Sequence, residues 1–247
     1  MKENDMRHAQ HADEIGRLEG VAGKSVYAQG ANAQGIHYGC KILKRHLVNG
    51  SVLELGPAEG LMTAELYAMG LDLTCVDGSK IFCDLLKEKF PGLAVVNQLF
   101  EDFKPVKLFD NIILGHVLEH VESPVAILSL VRQWLAPAGV IFAAVPNARS
   151  LHRQAAVVMG ILDAENALND TDRHHGHRRV FDPESFRQVF LRAALKIDHF
   201  GGYWLKPVSS GQIEQTWTDT MLDAFMQLGE RYPDIAGEIY VIASRNS

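Results

Sequence analysis

Residues 52–60 read VLELGPAEG. A short apolar run of strand character enters a Gly-Pro turn, and the stretch behind it, EGLMTAELYAMG, has helical character. The pattern repeats along the chain: LDLTCVD (71–77) precedes SKIFCDLLKEKF, and LAVVNQ (93–98) leads to FDNIILG (109–115). VESPVAILSLVRQWLAP reads as a helix and GVIFAAVP (139–146) as a fifth strand. Alternation of this kind implies right-handed crossovers and a parallel sheet covered on both faces, an α/β doubly wound architecture.

Composition bounds the setting. With 247 residues and 47% hydrophobic content, the chain can bury one substantial core, so a single domain over 1–247 is expected. A net charge of -6 argues against a generally basic nucleic-acid surface. The first twenty residues, MKENDMRHAQHADEIGRLEG, are polar and charged, without the apolar centre of a signal peptide, and no later run reaches membrane-spanning length. A soluble cytoplasmic protein is the expectation, with no nucleic-acid and no membrane partner. Cys40, Cys75 and Cys83 are too few and too irregular for a disulfide framework or a zinc ribbon, and are expected as partly buried thiols.

Beyond Pro146 the rhythm breaks. Residues 147–180 are polar and rich in histidine, and DPESFRQVFLRAAL (182–195) restores a helix with Asp182 as N-cap and Pro183 in its first turn. KIDHFGGYW and GEIYVIASRN are the last strand candidates, and QTWTDTMLDAFMQLGERYP between them reads as one amphipathic helix. Segments 147–180 and 203–236 are thus expected as insertions toward the carboxyl end of the sheet, and 1–48 as a helical segment with Ile36, Cys40 and Leu43 on its buried face.

The opening turn follows strand one, where ligands of open α/β sheets bind. A dinucleotide fingerprint needs glycine at its first, third and sixth positions; from Gly56 the chain supplies Gly56, Ala58 and Leu61. That disfavours a nicotinamide dehydrogenase. Glu54 interrupts an apolar strand, and a buried carboxylate needs a donor such as an amine or backbone N–H groups. Asp77 ends strand two at the position where such folds hold a ribose diol.

In order and spacing, VLELGPAEG, CVDGS, FDNIILGHVLEHVESP and WLAPAGVIFAAVPNARSL resemble the motifs of class I S-adenosylmethionine-dependent methyltransferases, over about residues 36–200. The resemblance implies a seven-stranded sheet in the order 3-2-1-4-5-7-6 with strand seven antiparallel. It implies S-adenosyl-L-methionine as cofactor and S-adenosyl-L-homocysteine as product. Carried over, Gly56, Pro57 and Gly60 border the methionine part, Glu54 orients its amine, and Asp77 with Gly78 and Ser79 holds the ribose. Leu99, Phe100 and Glu101 border the adenine, Gly115 and His116 lie by the methyl group, and Tyr27 and His37 cover the site. Ala58 stands where many relatives carry glycine, which implies a slightly tighter fit.

GHVLEHV resembles the strand-four exit of the ubiquinone-methyltransferase-like, small-molecule branch, and the NPPY or DPPY tetrad common in nucleobase methyltransferases is absent. A hydroxyl acceptor must lose its proton, and a histidine suits that near neutral pH, so His116 is the candidate base. The plainer reading has it only packing against the cofactor. His120 reads as structural.

The segment DRHHGHRRVFDPESF gathers His174, His175, His177, Arg178 and Arg179. One reading is a metal site completed by His152, His116 or a carboxylate. Another is an anion clamp for the acceptor, and the bland one a solvated loop. Neither HxH on a strand nor HExxH on a helix is present, so the clamp is favoured, with His152 beside it, and no metal is expected. GHRRVFDPESF is loosely similar to methyltransferases of bacterial polysaccharide or secondary-metabolite pathways.

The expected function is O-methylation of a small polar metabolite, anionic or neutral, such as a sugar or sugar nucleotide. N-methylation of an amino sugar or other small amine is the alternative, and a non-catalytic S-adenosylmethionine-binding regulator is the alternative of another class. Tyr203, Trp204 and Trp217 could serve a pocket, the core or a homodimer contact.

Overall fold

The computed structural model describes residues 2–25 and 28–246, with side chains from residue 11 onward. Its strands are β1 (Val52–Leu55), β2 (Leu73–Asp77), β3 (Ala94–Asn97), β4 (Phe109–Gly115), β5 (Leu135–Pro146), β6 (Leu195–Tyr203) and β7 (Glu238–Arg245). They form one sheet in the order β3-β2-β1-β4-β5-β7-β6. The first five run parallel, and β7 is antiparallel to both of its neighbours.

The helices are α1 (Lys2–Ala22), α2 (Gly30–Lys44), α3 (Leu61–Ala68), α4 (Lys80–Lys89) and α5 (Pro124–Trp134). They continue with α6 (Leu151–Val158), α7 (Asp170–His174), α8 (Pro183–Arg192), α9 (Ser210–Thr216) and α10 (Asp219–Arg231). Side-chain alternation divides the core into two layers. Leu53, Leu55, Ile112 and Leu114 face one cluster with Ile127 and Val131 of α5 and Phe186 and Phe190 of α8. Val52, Cys75, Ile113 and Phe142 face the other, with Ile42 and Leu43 of α2 and Met226 of α10. Glu54 shares the face of Val52, under α2 and α3.

The caps place the helices. Ser79, Ser123 and Asp182 accept the amides of Phe82, Ala126 and Ser185, and Pro124 and Pro183 open their helices where no donor is lost. Glu19 on α1 adds a contact from outside: its Oε1 accepts Lys80 N at 2.6 Å, and its Oε2 accepts Ser79 Oγ at 3.0 Å. An acid at that position complements the α4 N-terminus and fixes α1 across the carboxyl edge of the sheet.

Three expectations change in detail. QTWTDTMLDAFMQLGERYP is two helices, because Trp217 is extended (φ -90°, ψ 142°) and Thr218 caps a new helix through Met221 N. Strand five starts at Leu135, paired with Phe109 ahead of an irregularity in the register. The three cysteines are fully rather than partly buried. Segment 147–180 lies outside the seven strands, as expected, and meets Phe181 through an isolated bridge at Asn147. Among the described residues, no helix is long and apolar enough to cross a membrane.

Candidate functional site

The turn from β1 into α3 is wound tightly. Gly56 (φ +63°) and Gly60 (φ +82°) are left-handed, and a Cβ would come within 2.9 Å of Val117 Cγ2 at the first and 2.6 Å of Leu86 Cδ2 at the second. Between them Ala58 also has positive φ, +48°, which explains why glycine suits the position and shows that alanine is accommodated. The turn, with Pro57, forms one wall of a cavity of about 1020 Å³ at the carboxyl ends of the strands.

Two buried acids open onto this cavity. Glu54 Oε2 accepts Thr63 Oγ1 at 2.8 Å and the Cys75 thiol at 3.5 Å, rather than the amine or amides expected from its position. Burial pushes its carboxyl up to about 7, with the two donors acting in the opposite direction. Asp77 Oδ1 accepts Ser79 N at 2.8 Å and Oδ2 accepts Ala58 N at 3.4 Å, yet burial still pushes it up to about 6. Neither acid has an ion-pair partner among the described residues. Gly78 lies under α1, where a Cβ would meet Leu18 at 2.5 Å and Leu99 at 3.0 Å. Leu99, Phe100 and Glu101 line the cavity beside it, and so does Asp102.

Across the cavity, Gly115 ends β4 and His116 turns back in the left-handed region at φ +58°. His116 Nδ1 lies 3.5 Å from Glu119 Oε1 and 3.8 Å from Glu238 Oε2. Burial disfavours the imidazolium, but these two carboxylates outweigh it and hold the ring above the usual histidine range. Residues 118–120 form a turn and 121–122 a bend rather than a helix. His120 joins the cavity lining, its ring edge-on to His177 at 4.8 Å between centroids. Burial pushes His120 down to about 4, so it is neutral.

The histidine-arginine segment is only partly drawn to the cavity. His175 and Arg178 line it, whereas His152, His174, His177 and Arg179 do not. Arg178 reaches it already engaged, with Glu14 Oε2 at 2.6 Å and His120 O at 2.9 Å. Arg179 departs from the clamp expectation: its guanidinium is spent on the carbonyls of Leu118, Val121 and Glu122, so it braces the strand-four exit. His174 is exposed, and His152 sits behind the wall, driven down to about 3 by burial and the Lys206 and Arg153 charges. His37 is also off the cavity, 3.4 Å from Glu65 on the surface, and Tyr27 lies outside the described residues. Tyr203 and Trp204 are core residues, each 1% exposed.

Several site residues escape the linear reading. From α1, Arg17 donates to Gly176 O at 3.1 Å and His120 O at 3.3 Å, so α1 spans the mouth from α4 to the histidine segment. Polar side chains of a charged amphipathic stretch carry no signal for such a role. Glu238 approaches His116 from the far end of the chain. Glu119, 0% exposed in an apolar run, was open to the argument that singled out Glu54.

A family model described as "Methyltransferase domain" matches residues 27–199. The ubiquinone biosynthesis O-methyltransferase of Rickettsia canadensis is 24% identical over 156 residues, 61% of this chain and 64% of that protein. The chain therefore aligns to a little under two thirds of that relative's length. The corresponding Rickettsia akari protein is 24% identical over 210 residues, covering 82% of this chain and 80% of its own. The fold is shared with the Burkholderia thailandensis 1,6-didemethyltoxoflavin-N1-methyltransferase, solved with S-adenosylhomocysteine, at TM-score 0.63 and 14% identity, covering 99% of this chain and 90% of that one.

Proposed function

Because the chain belongs to the methyltransferase-domain family, we propose that it is an S-adenosylmethionine-dependent enzyme that methylates an oxygen of a small polar acceptor. The observation that carries the reading is the pair Glu54 and Asp77, two buried acids on one cavity that no cationic side chain among the described residues neutralises. Such a site is costly when empty and complementary to a ligand that brings its own positive charge and hydroxyl donors.

Bound there, S-adenosylmethionine supplies a sulfonium methyl group open to in-line attack. The chain's own part is placement. Glu54, polarised by Thr63, holds an ammonium; Asp77, fixed by the amides of Ser79 and Ala58, accepts from a ribose diol; Gly56 and Gly60 let the backbone approach. Leu99 and Phe100 give an apolar bed for a purine. The α1 helix, tied down by Glu19 and Arg17, excludes water from the reacting atoms.

His116 takes the acceptor proton. Glu119 and Glu238 flank Nδ1, which orients the ring so that Nε2 serves the hydroxyl. Arg178 arrives paired with Glu14, a balance that favours a hydroxyl-rich acceptor such as a sugar over a strongly anionic one. Titration calorimetry with S-adenosylmethionine, S-adenosylhomocysteine and NAD tests the cofactor, and transfer of labelled methyl to a metabolite library tests the acceptor. NAD binding without response to the sulfur ligands overturns the proposal; label appearing only on amines moves the methylated atom to nitrogen.

A further inference from the structure

Beside the acceptor end of the cavity, Glu119, His120 and His177 place one carboxylate oxygen and two ring nitrogens within 4.8 Å of one another. The chain brings them from two segments, the strand-four exit and the histidine loop, which Arg178 ties together through His120 O. Glu119, its side chain only 1% exposed, has His116 Nδ1 at 3.5 Å from Oε1 as its nearest partner, and among the described residues neither of its oxygens has a closer hydrogen bond. A buried carboxylate is costly unless donors or cations answer it, and because His116 is shared with Glu238, Glu119 keeps capacity for a second cation.

The neighbours fit a cation. His177 Nδ1 sits 3.3 Å from Asp172 Oδ1, while its Nε2 has no hydrogen-bond partner among the described residues. A carboxylate holding one nitrogen of an imidazole while the other points at a ligand position is the outer support that metal-binding histidines use. Asp172 is itself fixed, by the Asn169 amide at 3.0 Å and by Arg153 at 3.1 Å.

We propose that Glu119, His120 and His177 form a binding site for one divalent transition ion of the zinc, iron or cobalt type. Two imidazoles and one carboxylate select such ions over magnesium, which prefers oxygen ligands throughout. Ligand bonds of about 2.1 Å in a tetrahedron set the donors about 3.4 Å apart, so the three groups close in by roughly 1 Å on loading. Three protein ligands leave one position, and His120, which lines the cavity, marks the side on which it opens. His116 stands outside the trio, with its Nδ1 3.5 Å from Glu119 Oε1. On the oxygen-methylation reading above, that open position faces the acceptor hydroxyl. The spacing within the histidine loop alone gave no ground for a metal; the partners contributed by residues 119 and 120 do.

The test uses the full chain purified without a histidine tag. Element analysis, then titration of chelator-treated protein with zinc and with cobalt, is expected to show one equivalent bound and visible absorption from cobalt in a low-symmetry nitrogen-oxygen site. His177→Ala, Glu119→Gln and His120→Asn each weaken binding by about 100-fold or more, Asp172→Asn by about 10-fold to 100-fold, and the exposed His174→Ala not at all. Binding of S-adenosylhomocysteine by each variant reports that it is folded. Failure of the wild-type protein to bind either metal overturns the site, as does binding that survives His177→Ala and Glu119→Gln. Loss of cofactor binding in wild-type protein that still takes up the ion would instead overturn the methyltransferase reading and leave this one standing.

Discussion

Thr63 donates its hydroxyl to Glu54 Oε2 at 2.8 Å, from the first turn of α3 to the middle of β1. That bond acts against burial and keeps Glu54 more acidic than it would otherwise be. Thr63→Val is therefore expected to raise the Glu54 pKa further and weaken S-adenosylmethionine binding by about tenfold near neutral pH. The loss should shrink as pH rises and the carboxylate is restored. Calorimetry from pH 6.5 to 9 measures this; a loss independent of pH would assign Thr63 to packing alone.

Glu54 and Asp77 each contribute a stability to the ligand-free protein that falls as pH rises, while the lowered values of His120 and His152 act in the opposite sense over the same range. Glu54 and Asp77 have folded-state values of about 7 and about 6, above the ordinary 4.5 and 3.8. At these two groups the folded state therefore binds protons more tightly than the unfolded chain. The stabilisation is present below the unfolded values and lost on passing upward through the folded ones, between about pH 4 and 7. For Glu54 the difference is on the order of 3 kcal/mol. Glu54→Gln should remove the Glu54 part of this pH dependence and raise the melting temperature at pH 8, while abolishing cofactor binding. A stability difference, wild type minus Glu54→Gln, that rises with pH across this window would contradict the assigned burial of Glu54.

Ala58, at φ +48°, carries a mild left-handed strain. Ala58→Gly is expected to change stability by no more than about 1 kcal/mol, relief of strain offsetting the added freedom of the unfolded chain. Ala58→Val, β-branched in the same conformation, should lower the melting temperature and weaken cofactor binding together.

Arg179→Ala leaves three backbone carbonyls of the strand-four exit without their donor. A loss of roughly 1–3 kcal/mol in global stability is expected, seen in urea unfolding. Arg178→Ala, by contrast, releases Glu14 and one contact to His120 O, and should show mainly as faster proteolysis of α1. Equal melting losses in the two variants would refute this division.

The sheet was legible because its evidence is local. The runs around 52–55, 73–77, 109–115 and 139–146 each declare a strand, and Glu54 and Asp77 stand out because acids there contradict an apolar context. The surroundings of His116 and His120 were not, because the groups there converge from distant parts of the chain: Arg17, Glu119, His177 and Glu238 lie on four separate segments. A histidine-rich stretch shows that imidazoles are present without showing which way they turn. Here His177 turns inward to Glu119, His174 turns out, and His152 packs behind the wall.

His116 is held in the left-handed region, at φ +58°. Glycine, asparagine, aspartate and histidine enter that region more readily than most residues. The backbone thus favours, at that position, an amide, a carboxylate, an imidazole or no side chain at all. His116→Asn keeps the turn and removes the proposed base, so it separates chemistry from conformation more cleanly than alanine. An imidazole and an amide are thus exchangeable at that position without rebuilding the loop.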